Sequence, residues 1–387
     1  MNKKIGLHFG VVLASVALIA SGTVAAHGAA VPKGKAAAGL QCAAAGPKGK
    51  AAAGLQCAAA GLVSAGRGVE GSDLTCMTAT LGTAKDSMVW GYKDLKPLTS
   101  IEFVSSSNIG GGYGTTAIAV GDALKAEGLL GSYTVKYFSN APLGVAYFQG
   151  EKNRKDMLLI TGFAMPGGLA LNKSTLDMTN AKPVAAFLRE AEVIAVPTAS
   201  KLKTINDLLA VIKANPKTAI GGGNLGGVDH VTIATIAATI GVAATDLNYV
   251  AYSGGATLTP DLLAGRVVAG VAGTSEWSKY VAAGTMRLLA VTSPKPLTVV
   301  KGKTLIQQNI NLTFGNWRGM LAPADLPAAE YLNMLKVIDT AHGSASWKAM
   351  LTTKSWIDEY RVGTAFTTWL KPEVAAILKI LKDFKLY

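Results

Sequence analysis

Apolar and polar positions along this chain follow two rhythms. Short apolar runs at residues 101–104, 133–138, 158–161, 193–196, 219–220, 247–252, 267–273 and 286–291 have the length of strands. Between them stand segments of helical period, at 115–127, 204–213, 229–240, 260–265 and 327–341, with a last one at 372–384. In the third of these Ile233, Ile236, Ala237 and Ile240 fall at i, i+3, i+4 and i+7, so one face is apolar. In the last, Val374, Ile377, Leu378 and Leu381 form the stripe. Thr204 and Asp207 have the spacing of a capping box. Strands alternating with helices predict an α/β fold. Residues 27–96 lack either rhythm and are predicted to be largely irregular.

The loops that punctuate this pattern carry the candidate chemistry. Gly221-Gly222-Gly223-Asn224-Leu225-Gly226-Gly227 leads from a strand into the helix that opens at Asp229-His230, and Tyr252-Ser253-Gly254-Gly255 closes the following strand. A strand-to-helix loop leaves backbone N–H groups without partners at the positive end of the helix dipole, and glycine lets a guest approach them. A small anion is the expected guest. Two further loops follow strands earlier in the chain. One runs from Ser105-Ser106 through Gly110-Gly111-Gly112-Tyr113 to Thr115-Thr116; the other is Asn140-Ala141-Pro142-Leu143-Gly144. Open α/β sheets bind their ligands at such strand ends. Gly221-x-Gly223-x-x-Gly226 also fits a dinucleotide fingerprint. Its acid partner fails, because Asp246 starts the next strand instead of ending it.

Composition narrows the function. Of 387 residues half are hydrophobic and 16% are charged, which gives a large core and excludes a disordered chain. The formal charge is +13, with the basic residues scattered and no Arg-rich block, so acidic small molecules are expected in preference to nucleic acid. Residues 1–26 read as a secretory signal: Lys3-Lys4, a short apolar centre, then small residues to Ala26. Residues 32–46 are repeated without change at 47–61, a low-complexity leader and not a solenoid, which needs three units or more. The three cysteines allow one disulfide, with Cys42 or Cys57 able to pair with Cys76; Cys57–Cys76 is the pair carried forward. No CxxC or HExxH spacing occurs, so neither a metal nor a cofactor is expected. A Gly-x-Ser-x-Gly elbow is absent, and Gly302-Lys303-Thr304 lacks the P-loop's first glycine, where Leu297 stands.

Five stretches together resemble one family. They are the residues 222–230 loop, Tyr252-Ser253-Gly254-Gly255, Asp261-Leu262-Leu263-Ala264-Gly265, the segment 284–291, and Trp317-Arg318-Gly319. In this order and spacing they are similar to the receptors of tripartite tricarboxylate transporters, the TctC-like or Bug-type periplasmic solute-binding proteins. The likeness runs from about Ser100 to the C-terminus. It implies a type II periplasmic binding fold, two lobes each with a mixed sheet flanked by helices, joined by segments near 193–197 and 288–293. On that basis lobe 1 comprises 98–195 and 293–387, and lobe 2 comprises 196–292. It further implies a monomer that holds an organic acid by backbone N–H groups and hydroxyls and delivers it to membrane permease subunits.

Carried over by position, the ligand-binding residues are Ser105, Ser106, Gly111, Gly112, Tyr113, Thr115, Asn140 and Ala141 in lobe 1. Lobe 2 supplies Gly223, Asn224, Gly226, His230, Tyr252, Ser253, Gly254, Thr274 and Ser275. Asp229 is expected to cap its helix, His230 to serve as either contact or helix-start residue, and Trp317 to sit in the core. Glu276 is left out, since beside an acidic ligand it is repulsive unless it accepts an amine or a hydroxyl. The lobe 1 loops depart from the family: Gly114 replaces an acid, and the second loop lacks its glycine run. An exported enzyme, a nucleotide-binding protein using the GxGxxG loop, and a receptor relic acting as sensor or scaffold are the other readings.

Overall fold

The computed structural model describes residues 68–78, 82 and 88–387, with a two-residue strand at 63–64. The signal segment, the repeats, Cys42 and Cys57 lie outside the described residues. Strands β1 (Val63–Ser64), β2 (Leu74–Thr78) and β3 (Met88–Gly91) form a small antiparallel sheet. The first lobe then runs β4 (Leu98–Ser105), α1 (Gly112–Ala126), β5 (Leu130–Tyr137), α2 (Ala141–Gly150), β6 (Met157–Gly162), α3 (Ala164–Leu171) and β7 (Lys182–Glu190). The second lobe follows as β8 (Glu192–Pro197), α4 (Ile205–Ala214), β9 (Ala219–Gly222), α5 (Val228–Ala238), β10 (Asn248–Ala251), α6 (Gly255–Leu263), β11 (Ala269–Gly273), α7 (Thr274–Ala282) and β12 (Met286–Val291). The chain returns to the first lobe with β13 (Asn316–Ala322), α8 (Ala328–His342), α9 (Ala345–Lys354), β14 (Ile357–Val362) and α10 (Thr364–Asp383).

Each lobe is built on one mixed sheet. The first has six strands in the order β14-β7-β13-β6-β4-β5, the second five in the order β10-β9-β11-β8-β12. Within each, three parallel strands point their C-terminal ends at one edge. Helices α1, α2 and α3 start from that edge in the first lobe, and α5, α6 and α7 in the second. The sheet changes at Ala191. Glu190 ends β7 opposite Asn316, on the edge where Arg318 lies opposite Gly162. Glu192 begins β8 opposite Gly273, the last residue of β11. The two edges that carry helix N-termini therefore meet across this one-residue crossing. Thr292 ties the crossings together: its Oγ1 accepts the Glu192 N–H at 2.9 Å, and Phe314 N–H donates to its carbonyl at 3.0 Å.

Local sequence explains the elements it predicted. Thr204 and Asp207 form the capping box of α4, with the Asp207 N–H on Thr204 Oγ1 and the Thr204 N–H on Asp207 Oδ2. Strands β6, β11 and β13 are buried along their whole length, as central strands covered on both faces are.

Several expectations are corrected. The segment around Trp317-Arg318-Gly319, absent from the strand-length runs read in the sequence, is a central strand; with both faces buried it has no period-2 alternation to reveal it. The strand expected at 193–196 is β8, and the crossing near it falls just before, at Ala191. Helix α10 begins at Thr364, eight residues before Pro372, which the helix contains. The Asn140 loop is the start of α2, capped by its own side chain, whose Oδ1 accepts the Leu143 N–H at 3.0 Å.

The described residues between 68 and 92, a stretch expected to be irregular, include several that belong to the first lobe. Val69, Leu74, Cys76 and Tyr92 join its core, where the alternation of Leu74 and Cys76 places both side chains inward. The Tyr92 hydroxyl donates to Asp339 Oδ2 at 2.6 Å and accepts the Val69 N–H at 2.9 Å. The Glu70 carboxylate takes the Thr364 N–H and hydroxyl, at 2.7 and 2.8 Å, and so caps α10 from a distant part of the chain. Cys76 is buried and disulfide-bonded. Trp317 lies in the same core, edge-on to Trp369 at 5.1 Å. Among the described residues no helix is long and apolar enough to cross a membrane.

Candidate functional site

All the residues singled out in the sequence reach the two facing edges. Ser105, Ser106, Gly111, Gly112, Tyr113 and Thr115 form the β4–α1 junction, and Asn140 and Ala141 open α2. Gly223, Asn224, Gly226 and His230 join β9 to α5; Tyr252, Ser253 and Gly254 join β10 to α6; Thr274 and Ser275 start α7. Their surroundings divide them.

On the second lobe the expected anion donors are taken by the protein's own carboxylates. Gly223 N–H donates to Asp229 Oδ2 at 2.6 Å. Gly255 N–H donates to Glu276 Oε2 at 2.6 Å. Ser275 gives both its N–H, at 2.8 Å, and its hydroxyl to Glu190 Oε1, which arrives from the end of β7 in the other lobe. Each helix start is thus neutralised internally, as the helix dipole favours. The Gly223–Gly227 loop is locked further. Tyr249 hydroxyl donates to the Gly223 carbonyl at 2.8 Å, and Gly226 N–H donates to His230 Nδ1 at 3.1 Å. His230 stacks on Tyr249 at 4.1 Å, and burial holds its pKa down to about 4, so it is a neutral acceptor that shapes the loop. Tyr252 donates its hydroxyl to Asp261, away from the edge, while Asn224 and Ser253 are exposed.

The first lobe presents the opposite condition. Arg318, on β13, is only 8% exposed, yet among the described residues its guanidinium makes no hydrogen bond and no ion pair. It lies over the Tyr113 ring at 4.7 Å. It also closes on the start of α1: a Cβ added to Gly112 would stand 2.4 Å from Arg318 Nη2, and one added to Gly162 3.0 Å from Nη1. No side chain caps α1 or α3. A buried cation placed against the positive end of a helix is unfavourable unless an anion joins them. On the same edge of the first lobe, Ser106 Oγ and Asn316 Oδ1 are buried and have no hydrogen-bond partner among the described residues, and Thr274 Oγ1 is in the same condition on the facing edge. Buried polar groups are nearly always satisfied, so a group of exceptions at one place marks a ligand or water site. Arg318 and Asn316 were not among the residues read from the sequence as ligand contacts; the only signal for Arg318 was its place in the Trp317-Arg318-Gly319 stretch.

Four carboxyls complete the site: Glu190, Glu192, Asp229 and Glu276. Burial, then the charges of Asp229 and Glu190, push Glu276 up to about 7. Burial and the same neighbours hold the Glu192 carboxyl well above the ordinary range, and burial raises Asp229 too, although Arg318 works in the other direction there. A raised folded-state pKa means that the native protein holds a proton the unfolded chain has lost. Stability therefore falls as pH rises from the unfolded value near 4.5 to about 7. Glu276→Gln, which keeps an acceptor for Gly255, should gain stability over wild type progressively across that interval and level off above it. Urea midpoints measured from pH 4 to 8 check this, and a difference independent of pH contradicts it.

The lobes touch beside this site. A Cβ on Gly167 of α3 would meet the Gly226 carbonyl at 2.8 Å, and Val228 and Val231 of α5 pack into the first lobe's core. Gly226 has φ +69°, and a Cβ there would also strike Leu171 at 2.3 Å, so glycine is required. Two hollows of about 370 and 230 Å³ lie elsewhere, on the flank of the first lobe. In the first Lys336 pairs with Asp94, and in the second Arg154 pairs with Glu102 and Asp156. Among the described residues no three His, Cys, Asp or Glu side chains are arranged to hold a metal ion.

Comparison with known proteins agrees with this architecture. No curated protein sequence matches the chain significantly. Three solved structures share its fold. A TctC solute-binding protein from Polaromonas is 20% identical, covers 74% of this chain and 99% of its own, and superposes with a TM-score of 0.58. MatC from Rhodopseudomonas palustris, solved with bound malate, is 13% identical over 74% of this chain and 99% of its own, with a TM-score of 0.62. Rpa4515 from R. palustris, solved with adipate, is 18% identical over 75% and 98%, with a TM-score of 0.65. Residues 171–359 match the sequence model of the tripartite tricarboxylate transporter family receptor. Through these residues, about half of its length, the chain resembles the TctC receptor family, and it shares the two-lobed fold of periplasmic binding proteins.

Proposed function

We propose that this protein is an exported, non-enzymatic receptor that captures a small organic acid between its lobes and delivers it to the membrane subunits of a tripartite tricarboxylate-type transporter. One observation carries the reading: Arg318 is buried, charged and, among the described residues, without a hydrogen bond or ion pair at the uncapped start of α1. A guest carboxylate there accepts two parallel bonds from the guanidinium and further bonds from the α1 N–H groups, with Ser106 and Asn316 at its side. Two proteins of the same fold were solved with carboxylates, malate in one and adipate in the other. The protein works as a monomer in the periplasm and uses no cofactor.

Thermal unfolding of the mature protein against short mono-, di- and tricarboxylates, with NAD and ATP alongside, tests this. A ligand at a hundred times its Kd adds about 2.7 kcal/mol, a rise of several degrees in Tm for a chain of this size. Stabilisation by carboxylates alone is the expected result. Stabilisation by NAD or ATP alone would show that the glycine loop binds a nucleotide instead.

A further inference from the structure

The pivot between the lobes is built from acids. Glu190 ends β7 on one side of the crossing at Ala191, and Glu192 begins β8 on the other. Glu192 stands in register with Gly273 of β11, and a Cβ added to Gly273 would lie 2.6 Å from Glu190 Oε1. Both acids therefore stand at the same end of β11. Glu190 belongs to the first lobe, yet it accepts the N–H and hydroxyl of Ser275 at the start of α7 in the second. Asp229 of α5 and Glu276 of α7 stand nearby, each on a backbone N–H at 2.6 Å.

Glu192 differs from the other three. It is 0% exposed, and among the described residues no donor reaches either oxygen. An ionised carboxylate there has neither water nor a hydrogen bond, so the group holds a proton. The Asp229 carboxyl is within reach of that proton. Arg318 attracts Asp229 from the first lobe, which keeps the charge of the pair on Asp229 and the proton on Glu192. The other ionisable groups that face the pair are Glu190, Glu276 and the Tyr249 hydroxyl, with neutral His230 stacked on Tyr249. Glu192 ionises only where water reaches it, and water reaches it only when the elements around the crossing part. Its new charge also repels Glu190, the acid that comes from the first lobe.

We propose that Glu192 and Asp229 form a proton latch at the pivot: with one proton shared between them the lobes stay closed, and with that proton lost they separate. The closed state binds a proton that the open, hydrated state has already released at the same pH. Closure is therefore complete at low pH. It is lost as pH rises through the closed-state value of Glu192, which burial places above the ordinary carboxyl range. Glu276, raised to about 7, adds a further negative charge at the same place above neutral pH.

Small-angle scattering of the mature, ligand-free protein from pH 5 to 9 tests the latch, with circular dichroism at each pH confirming that the fold is intact. Wild type should expand as pH rises, the ratio of closed to open molecules falling by about tenfold per pH unit once the proton leaves, the slope for one proton. Glu192→Gln gives Asp229 an N–H donor that does not titrate, and it should stay compact throughout. Asp229→Asn keeps an acceptor for Gly223 and removes the other half of the pair, so it should blunt the expansion too. A wild-type radius that is constant over this range overturns the latch. Expansion of both variants in step with wild type overturns the place given to the proton. No ligand enters the measurement, so either failure leaves the receptor reading standing.

Discussion

Replacing Arg318 by Met is expected to remove carboxylate binding while leaving the protein folded. The guanidinium makes no hydrogen bond or ion pair within the described residues, so the substitution breaks none and removes its stacking on Tyr113 and its longer-range attraction to Asp229. Methionine keeps much of the volume. A bidentate guanidinium–carboxylate pair consists of charge-assisted bonds of about 1.5–3 kcal/mol each, so the loss should reach about a hundredfold or more in Kd. Arg189 is the control. It is also held between strands, but it pairs with Glu359 through two nitrogens and donates to the Gly315 carbonyl at 3.1 Å. Arg189→Met should lower the urea midpoint strongly, because it leaves Glu359 half-buried with a reduced complement of partners. Titration and denaturation of both variants separate the two roles. Equal losses of stability in the two would show that Arg318 is structural.

The second large effect concerns closure. Gly167→Leu adds a side chain within α3 where the Gly226 carbonyl of the other lobe stands 2.8 Å from the first added atom. Inside the helix the change is favourable by up to about 1 kcal/mol, and within its own lobe the first added atom meets only the flexible end of Leu381, at 3.1 Å. The closed arrangement bears the overpacking, about 1–3 kcal/mol. A ligand that requires closure then binds through a depleted state, and its apparent affinity falls by the same factor, about 5- to 150-fold. Gly150→Leu, where a Cβ meets nothing within 4 Å, should bind as wild type does. Small-angle scattering with and without ligand supplies the structural reading. Unchanged affinity and unchanged ligand-induced compaction in Gly167→Leu would mean that this contact is not part of closure.

What could be read from the sequence was local. The β9 loop, its glycines, the start of α5 and the capping box of α4 depend on residues within a few positions of one another, and they stand where the pattern placed them. The strand-end loops carried enough sequence to suggest the family. Arg318 could not be found that way. It lies on a strand absent from the runs read in the sequence, and its partners Gly112 and Gly162 are brought beside it only by the β13–β6 register. The carboxylates followed the same logic. Glu190 ends a strand that the apolar pattern did not reveal, and Glu192 begins the next, in the other lobe. Main-chain donors in a glycine loop look available in sequence; whether Asp229, Glu276 or Glu190 already occupies them depends on the fold. The sequence did flag the difficulty of Glu276 beside an acidic guest; in the structure its carboxyl is taken up by the Gly255 N–H.

The central claim is that a guest carboxylate is held by Arg318 at the start of α1. A crystal structure of the protein grown with a saturating carboxylate from the binding screen tests it most directly. The account predicts density for a carboxylate about 2.7–3.1 Å from the Arg318 guanidinium and from N–H groups of the first turn of α1, with Asp229 still on Gly223. A ligand whose carboxylate displaces Asp229 from the Gly223 N–H and leaves Arg318 untouched would contradict it.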